Sequence, residues 1–224
     1  MEEAEILEML DARAQFYRTL SSLYFKSIDQ DELDAMAAQD FTELREGKET
    51  SLMARGYDDM YRYLRKRNSG SRQELAVDFT SAFLGTVSIG GRQAMPYESL
   101  FRDQSGLLMQ GPRNEVYQTF KAASVELKDG LDIPEDHLSF EFEFMALLCD
   151  RALAAEAAGD SQTCIANLKT QRKFLELHIA SWFDDLYDLA LEVVKTRFYR
   201  GVLNITKGFL AEEPDTIDEM MAWA

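Results

Sequence analysis

The chain holds two histidines and two cysteines, so chemistry that depends on imidazole or thiolate must draw on His137, His178, Cys149 or Cys164. His137 stands in "DGLDIPEDHLSFEFEFMALLCD", residues 129–150, directly after Asp136 and one helical turn before Glu141. An imidazole beside carboxylates can transfer protons, hold a metal, or close a polar cluster on a ligand surface. A di-metal site in a helical bundle needs Glu-x-x-His pairs on two helices, and neither histidine has a glutamate three residues earlier. A zinc site built from the two histidines and two cysteines lacks the short spacings of structural sites. "GTVSIGG" at 85–91 has glycines but neither the lysine of a phosphate-binding loop nor a preceding strand, and no GxSxG occurs. The cysteines are read as buried reduced thiols that act as small apolar groups.

The same stretch reads as a helix start. Pro134 suits the first turn, Asp132 and Glu135 suit a capping arrangement, and Asp136 suits the positive end of the dipole, worth about 0.3–1 kcal/mol. That dipole disfavours a proton on His137, whereas Asp136 and Glu141 favour one. Beyond it, Leu138, Phe142, Met145 and Cys149 form one apolar stripe and Phe140, Phe144, Leu147 and Leu148 another. A helix apolar on so much of its circumference belongs at the centre of a bundle.

The elements that must position these residues are helical throughout. Ile6, Leu10, Ala14, Tyr17, Leu20 and Tyr24 recur at helical spacing near the start, and Leu186, Leu189, Val193 and Val194 near the end. The pattern predicts an all-α bundle of about ten helices, broken near 28, 40, 48, 70, 85–97, 111, 129, 159 and 183. The chain reads as a single domain, 1–224, in which a long loop at 85–98, the one extended interruption, offers a seam between an N-terminal half, 1–84, and a C-terminal half, 99–211, with no linker marking two independent domains. The acidic tail "EEPDTIDEMMAWA" either docks as a short helix or stays loose.

With 224 residues, 46% of them hydrophobic, the chain can bury a sizeable core. Its 40 acidic against 24 basic residues give a net charge of −16, which repels nucleic acid and anionic lipid and attracts cationic peptides. The start, MEEAEILEML, lacks the basic and apolar regions of a signal peptide, and no apolar run nears the roughly 20 residues of a membrane span. The expectation is a cytoplasmic protein with no membrane insertion.

Three pieces in order, "DFTSAFLG" (78–85), "PYESLF" (96–101) and "PEDHLSFEFEFM" (134–145), resemble the TorD/DmsD family of chaperones for molybdenum-containing redox enzymes. "LLMQGPRNEVYQTFKAA" (107–123) and "LHIASWFDDL" (177–186) extend the likeness, which runs from about Tyr24 to Phe209. The resemblance implies an all-helical, non-enzymatic chaperone, monomer or homodimer, that binds the twin-arginine leader of a molybdopterin-dependent reductase or dehydrogenase. It would delay export and assist cofactor insertion, with contact to the mature domain as well. No cofactor of its own is implied, beyond weak GTP or molybdopterin-precursor contact. The peptide-binding residues implied are Pro96, Tyr97, Glu98, Ser99 and Phe101 in one segment and Asp136 and His137 in another, with Tyr24, Phe79 and Phe83 as further aromatic matches.

Physical chemistry suits such a role. Paired guanidinium groups need carboxylates and aromatic faces, and Glu98, Asp136 and Glu141 are candidates for the first, Tyr97, Phe101 and Tyr24 for the second. Two other readings stay open at this level: a nucleotide- or metal-dependent helical enzyme using His137 and nearby carboxylates, and a scaffold that binds only the mature partner.

Overall fold

A computed structural model describes residues 3–47, 49–128 and 130–223. Among these it contains ten α-helices and no strand. They are α1 (Glu3–Phe25), α2 (Gln30–Ala37), α3 (Leu52–Arg65), α4 (Ser71–Phe83), α5 (Glu98–Arg102), α6 (Gly111–Ala122), α7 (Leu138–Ala157), α8 (Ser161–Phe174), α9 (Phe183–Val193) and α10 (Arg197–Trp223). The all-α architecture read from periodicity is therefore what forms. The breaks expected at 48 and 129 fall outside the described residues. None of the described helices is long and apolar enough to cross a membrane.

Two compact units divide the chain, one made of Met1–Phe25, Tyr97–Trp182 and Glu212–Ala224, the other of Lys26–Pro96 and Phe183–Ala211. These differ from the 1–84 and 99–211 halves suggested by the loop, because α1 joins the later helices and α9 joins the earlier ones.

In the first unit, α1 lies against α7, and α7 against α8. Leu10, Ala14, Tyr17, Leu20 and Tyr24 bury one stripe of α1, as the spacing requires. α7 buries most of its circumference, including Phe142, Phe144, Met145 and Cys149. An ion pair is buried here: Arg13 Nε donates to both carboxylate oxygens of Glu213 at 3.1 Å, and its Nη2 donates to Gln171 Oε1 at 2.7 Å. The same Gln171 oxygen accepts from the Cys149 thiol at 3.4 Å. Both cysteines are free and buried, as expected. Glu213, Ile217 and Met220 are buried too, so the acidic tail continues α10 through Pro214.

In the second unit, α3 and α10 approach at glycines. A Cβ on Gly201 would lie 2.6 Å from the Gly56 carbonyl oxygen, and one on Gly208 would lie 2.6 Å from the Met53 nitrogen. Gly201 and Gly208 are two turns apart, so they present one small face along α10. Asp78, buried in α4, accepts from the Lys195 and Thr196 amides at 2.8 Å each and from Thr196 Oγ1 at 2.6 Å. It thereby fixes the turn at 194–196 that separates α9 from α10, a break the periodicity does not reveal. Between α4 and α5 the chain is irregular, apart from a tight Ile89–Arg92 pairing over Gly90 and Gly91, whose φ values of 57° and 84° suit glycine.

The α3–α10 contact generates a stability prediction. Gly201→Ala should destabilise by about 1–3 kcal/mol through overpacking. Gly111→Ala, where nothing lies within 4 Å of the added carbon, should change stability by no more than about 0.5 kcal/mol. Chemical denaturation of both variants checks the difference.

Candidate functional site

The two loop segments singled out in the sequence meet within the first unit. Tyr97 and His137 form an isolated antiparallel bridge, and the Glu98 amide donates to the Asp136 carbonyl at 3.0 Å. Each segment then turns directly into a helix. The Asp136 carboxylate crosses over to accept from the Ser99 amide at 2.9 Å, so it caps α5 rather than its own helix. His137 is the N-cap of α7, its Nδ1 accepting from the Ser139 amide at 3.2 Å.

The helix start therefore differs from the sequence expectation. α7 begins at Leu138, four residues after Pro134, because the residues between have other partners. Glu135 binds Arg113 through two hydrogen bonds of 2.6 and 2.9 Å. Asp136 serves α5, and the His137 amide closes a turn onto the Pro134 carbonyl at 3.2 Å.

His137 lies among aromatic rings: Tyr97 meets it edge-on at 4.8 Å, Phe140 at 5.8 Å and Phe25 at 6.4 Å. Burial pushes its imidazole down to about 4. A neutral ring with Nδ1 as acceptor carries its proton on Nε2. Burial rather than the neighbouring carboxylates decides its charge, and no described hydrogen bond joins the ring to the Asp136 or Glu141 carboxylate.

The three carboxylates expected to meet guanidinium groups, Glu98, Asp136 and Glu141, are each 0% exposed. Glu98 is satisfied from inside: His178 Nδ1 lies 3.1 Å from its Oε2, and Arg102 Nη1 binds its Oε1. Arg102 also donates to the Leu177 carbonyl at 3.1 Å. His178 sits in a π-helical turn, Leu175–Ile179, that extends α8, and its ring packs over Phe174 at 4.7 Å. Neither Glu141 oxygen has a hydrogen-bond partner within normal geometry. Burial first, then the negative charges of Glu98 and Asp136, holds its carboxyl well above the usual range. Burial also raises Asp136, against the opposing hydrogen bonds from Ser99.

The remaining sequence-selected residues are distributed more widely. Ser99 is buried beside the Asp136 cap, and Phe101 stacks on Trp182 at 5.5 Å. Tyr24 is fully buried and packs on Phe142 at 6.0 Å. Phe79, Phe83 and Pro96 belong to the second unit, where Phe79 and Phe83 are buried against each other and against Tyr199. Arg102, His178, Trp182 and Ser139 complete the cluster and were not selected. Arg102 was detectable as the i+4 partner of Glu98, but His178, 80 residues away, carries no local signal. Among the described residues, no group of three or more His, Cys, Asp or Glu side chains could hold a metal ion.

Comparison with known proteins places these features in a wider setting. The family model described as nitrate reductase delta subunit matches residues 48–188, a span that contains both paired segments. Proteins named chaperone protein TorD are similar along nearly the whole chain. That of Vibrio cholerae is 26% identical over 225 residues, covering 99% of this chain and 98% of the relative. That of Vibrio vulnificus is 27% identical over 215 residues, covering 94% and 97%, and that of Aliivibrio fischeri 24% over 210 residues, covering 92% and 94%.

The buried groups predict opposite responses to pH. A raised folded-state pKa means that Glu141 contributes its stability below the unfolded value of 4.5 and loses it as pH rises. Glu141→Gln should therefore melt higher than the wild type at pH 7, with the gap closing below pH 4.5. His137 has the reverse sign: its contribution is complete above 6.5 and is lost as pH falls through about 4. His137→Asn, which keeps a capping acceptor, should flatten the melting curve's decline across that window. Thermal melts from pH 4 to 8 check both.

Proposed function

The chain belongs to the nitrate reductase delta subunit family of TorD-type chaperones, and on that premise we propose that it prepares a molybdenum-containing oxidoreductase for export. It binds the partner's twin-arginine leader in the cytoplasm and holds the enzyme while cofactor is inserted. The observation that carries this reading is the direct pairing of Tyr97–Phe101 with Pro134–His137, the two segments in which the chain most resembles leader-binding chaperones. Tyr97 is only partly buried and covers the buried His137 ring, so an aromatic surface is what these segments offer a peptide.

The protein is a chaperone, not an enzyme. His137, on which an enzymatic reading depends, is neutral at physiological pH and already uses Nδ1 as a cap. The charge of −16 favours encounter with a cationic leader. Glu98 and Asp136 support the surface from within by fixing the two segments.

Calorimetric titration with a twin-arginine leader, and with the same leader carrying Lys-Lys, tests the reading at two salt concentrations. We expect binding that weakens with salt and falls by about tenfold on lysine substitution, equivalent to ~1.4 kcal/mol. Binding of the partner's mature domain with no binding of any leader would contradict it and favour a scaffold.

A further inference from the structure

An open groove of about 650 Å³ runs along the first unit between the end of α1, the segment linking α6 to α7, and α7 itself. That volume falls within the roughly 300–1,000 Å³ of ligand clefts. Its lining is mainly apolar and aromatic: Phe25, Phe120, Leu131, Phe140, Phe144 and Leu147. Phe120, Phe140 and Phe144 are buried beneath it, whereas Phe25 and Leu131 are 38% and 39% exposed. Two of these residues tie the groove to the paired segments, since Phe25 and Phe140 both contact the His137 ring.

The charges along the groove have an asymmetric pattern. Glu126 and Glu143 are exposed, and neither forms an ion pair with a described residue. Of the two cations, Arg18 is neutralised by Asp150, which leaves Lys128 alone. Two free carboxylates against one free ammonium favour an occupant that is apolar along its length and cationic beside it. A purely apolar surface would leave these acids unused, and an anionic ligand would be repelled.

We propose that this groove takes the apolar stretch of the twin-arginine leader, with Glu126 and Glu143, rather than the buried carboxylates, meeting its cationic residues. The assignment rests on the leader-binding reading above and specifies where on the first unit that peptide lies. It differs from the sequence expectation for a physical reason. Glu98 already has His178 and Arg102, and Glu141 is fully enclosed, so an incoming guanidinium would have to displace core groups to reach either.

Leader titration of the intact chain tests the assignment with three variants: Leu131→Asp, the double variant E126K/E143K, and Leu84→Asp as a control on an exposed leucine of the second unit. All substituted side chains are exposed, and circular dichroism verifies that each variant folds. The groove predicts at least about tenfold weaker binding for Leu131→Asp and for the charge reversal, the latter losing salt dependence, and no change for the control. Wild-type binding that both groove variants retain overturns the groove and leaves the leader reading standing. A wild-type chain that binds no leader overturns both. Changed self-association on sedimentation, with leader affinity unaltered, overturns the assignment in favour of a second copy of the chain.

Discussion

The Asp136 carboxylate is the interaction on which the candidate site depends. Through its carbonyl it receives the Glu98 amide, and through its side chain the Ser99 amide. One residue thus ties the end of one irregular segment to the start of a helix 37 positions earlier. A hydrogen bond to a charged group contributes about 1.5–3 kcal/mol, and this one acts where the carboxylate is shielded from water. It sets the direction of α5, which turns Glu98 inward onto His178 and Arg102 and leaves Tyr97 over the His137 ring.

That arrangement concentrates acids where acids are costly. Glu98 is stabilised by two cationic or hydrogen-bonding partners, Asp136 by the Ser99 amide, and Glu141 by holding its proton more tightly than an ordinary carboxyl. Each solution is different because each side chain meets a different set of donors. The result is a polar layer beneath aromatic rings, in which the carboxylates set geometry and two of the rings, Phe25 and Phe140, line the neighbouring groove. The proposed leader binding would gain from this division: apolar contact tolerates varied sequence, while buried hydrogen bonds keep the surface in place.

Much of this architecture was legible in the sequence because helical periodicity is local. The α1 stripe, the nearly all-round burial of α7, the inert thiols and the irregular segment before α5 follow from spacing and residue type. What escaped involves partners distant along the chain. Asp136 reads locally as an acid serving its own helix, yet its donor is Ser99; His178 reads as an isolated histidine, yet Glu98 lies against it. Asp78, between Val77 and Phe79, carries no local signal although it organises the 194–196 turn. Gly56, Gly201 and Gly208 carry no meaning until two helices are brought together. Glu98, Asp136 and Glu141 read from residue type as guanidinium partners, but whether an acid faces solvent or core is decided by tertiary packing.

Hydrogen exchange at the Ser99 and Ser139 amides tests the central claim most directly. If the Asp136 side chain caps α5 and His137 caps α7, both amides exchange slowly in the wild type. Asp136→Ala should then release Ser99 while leaving Ser139 protected. Fast exchange of Ser99 in the wild type, or unchanged protection in Asp136→Ala, would contradict the account.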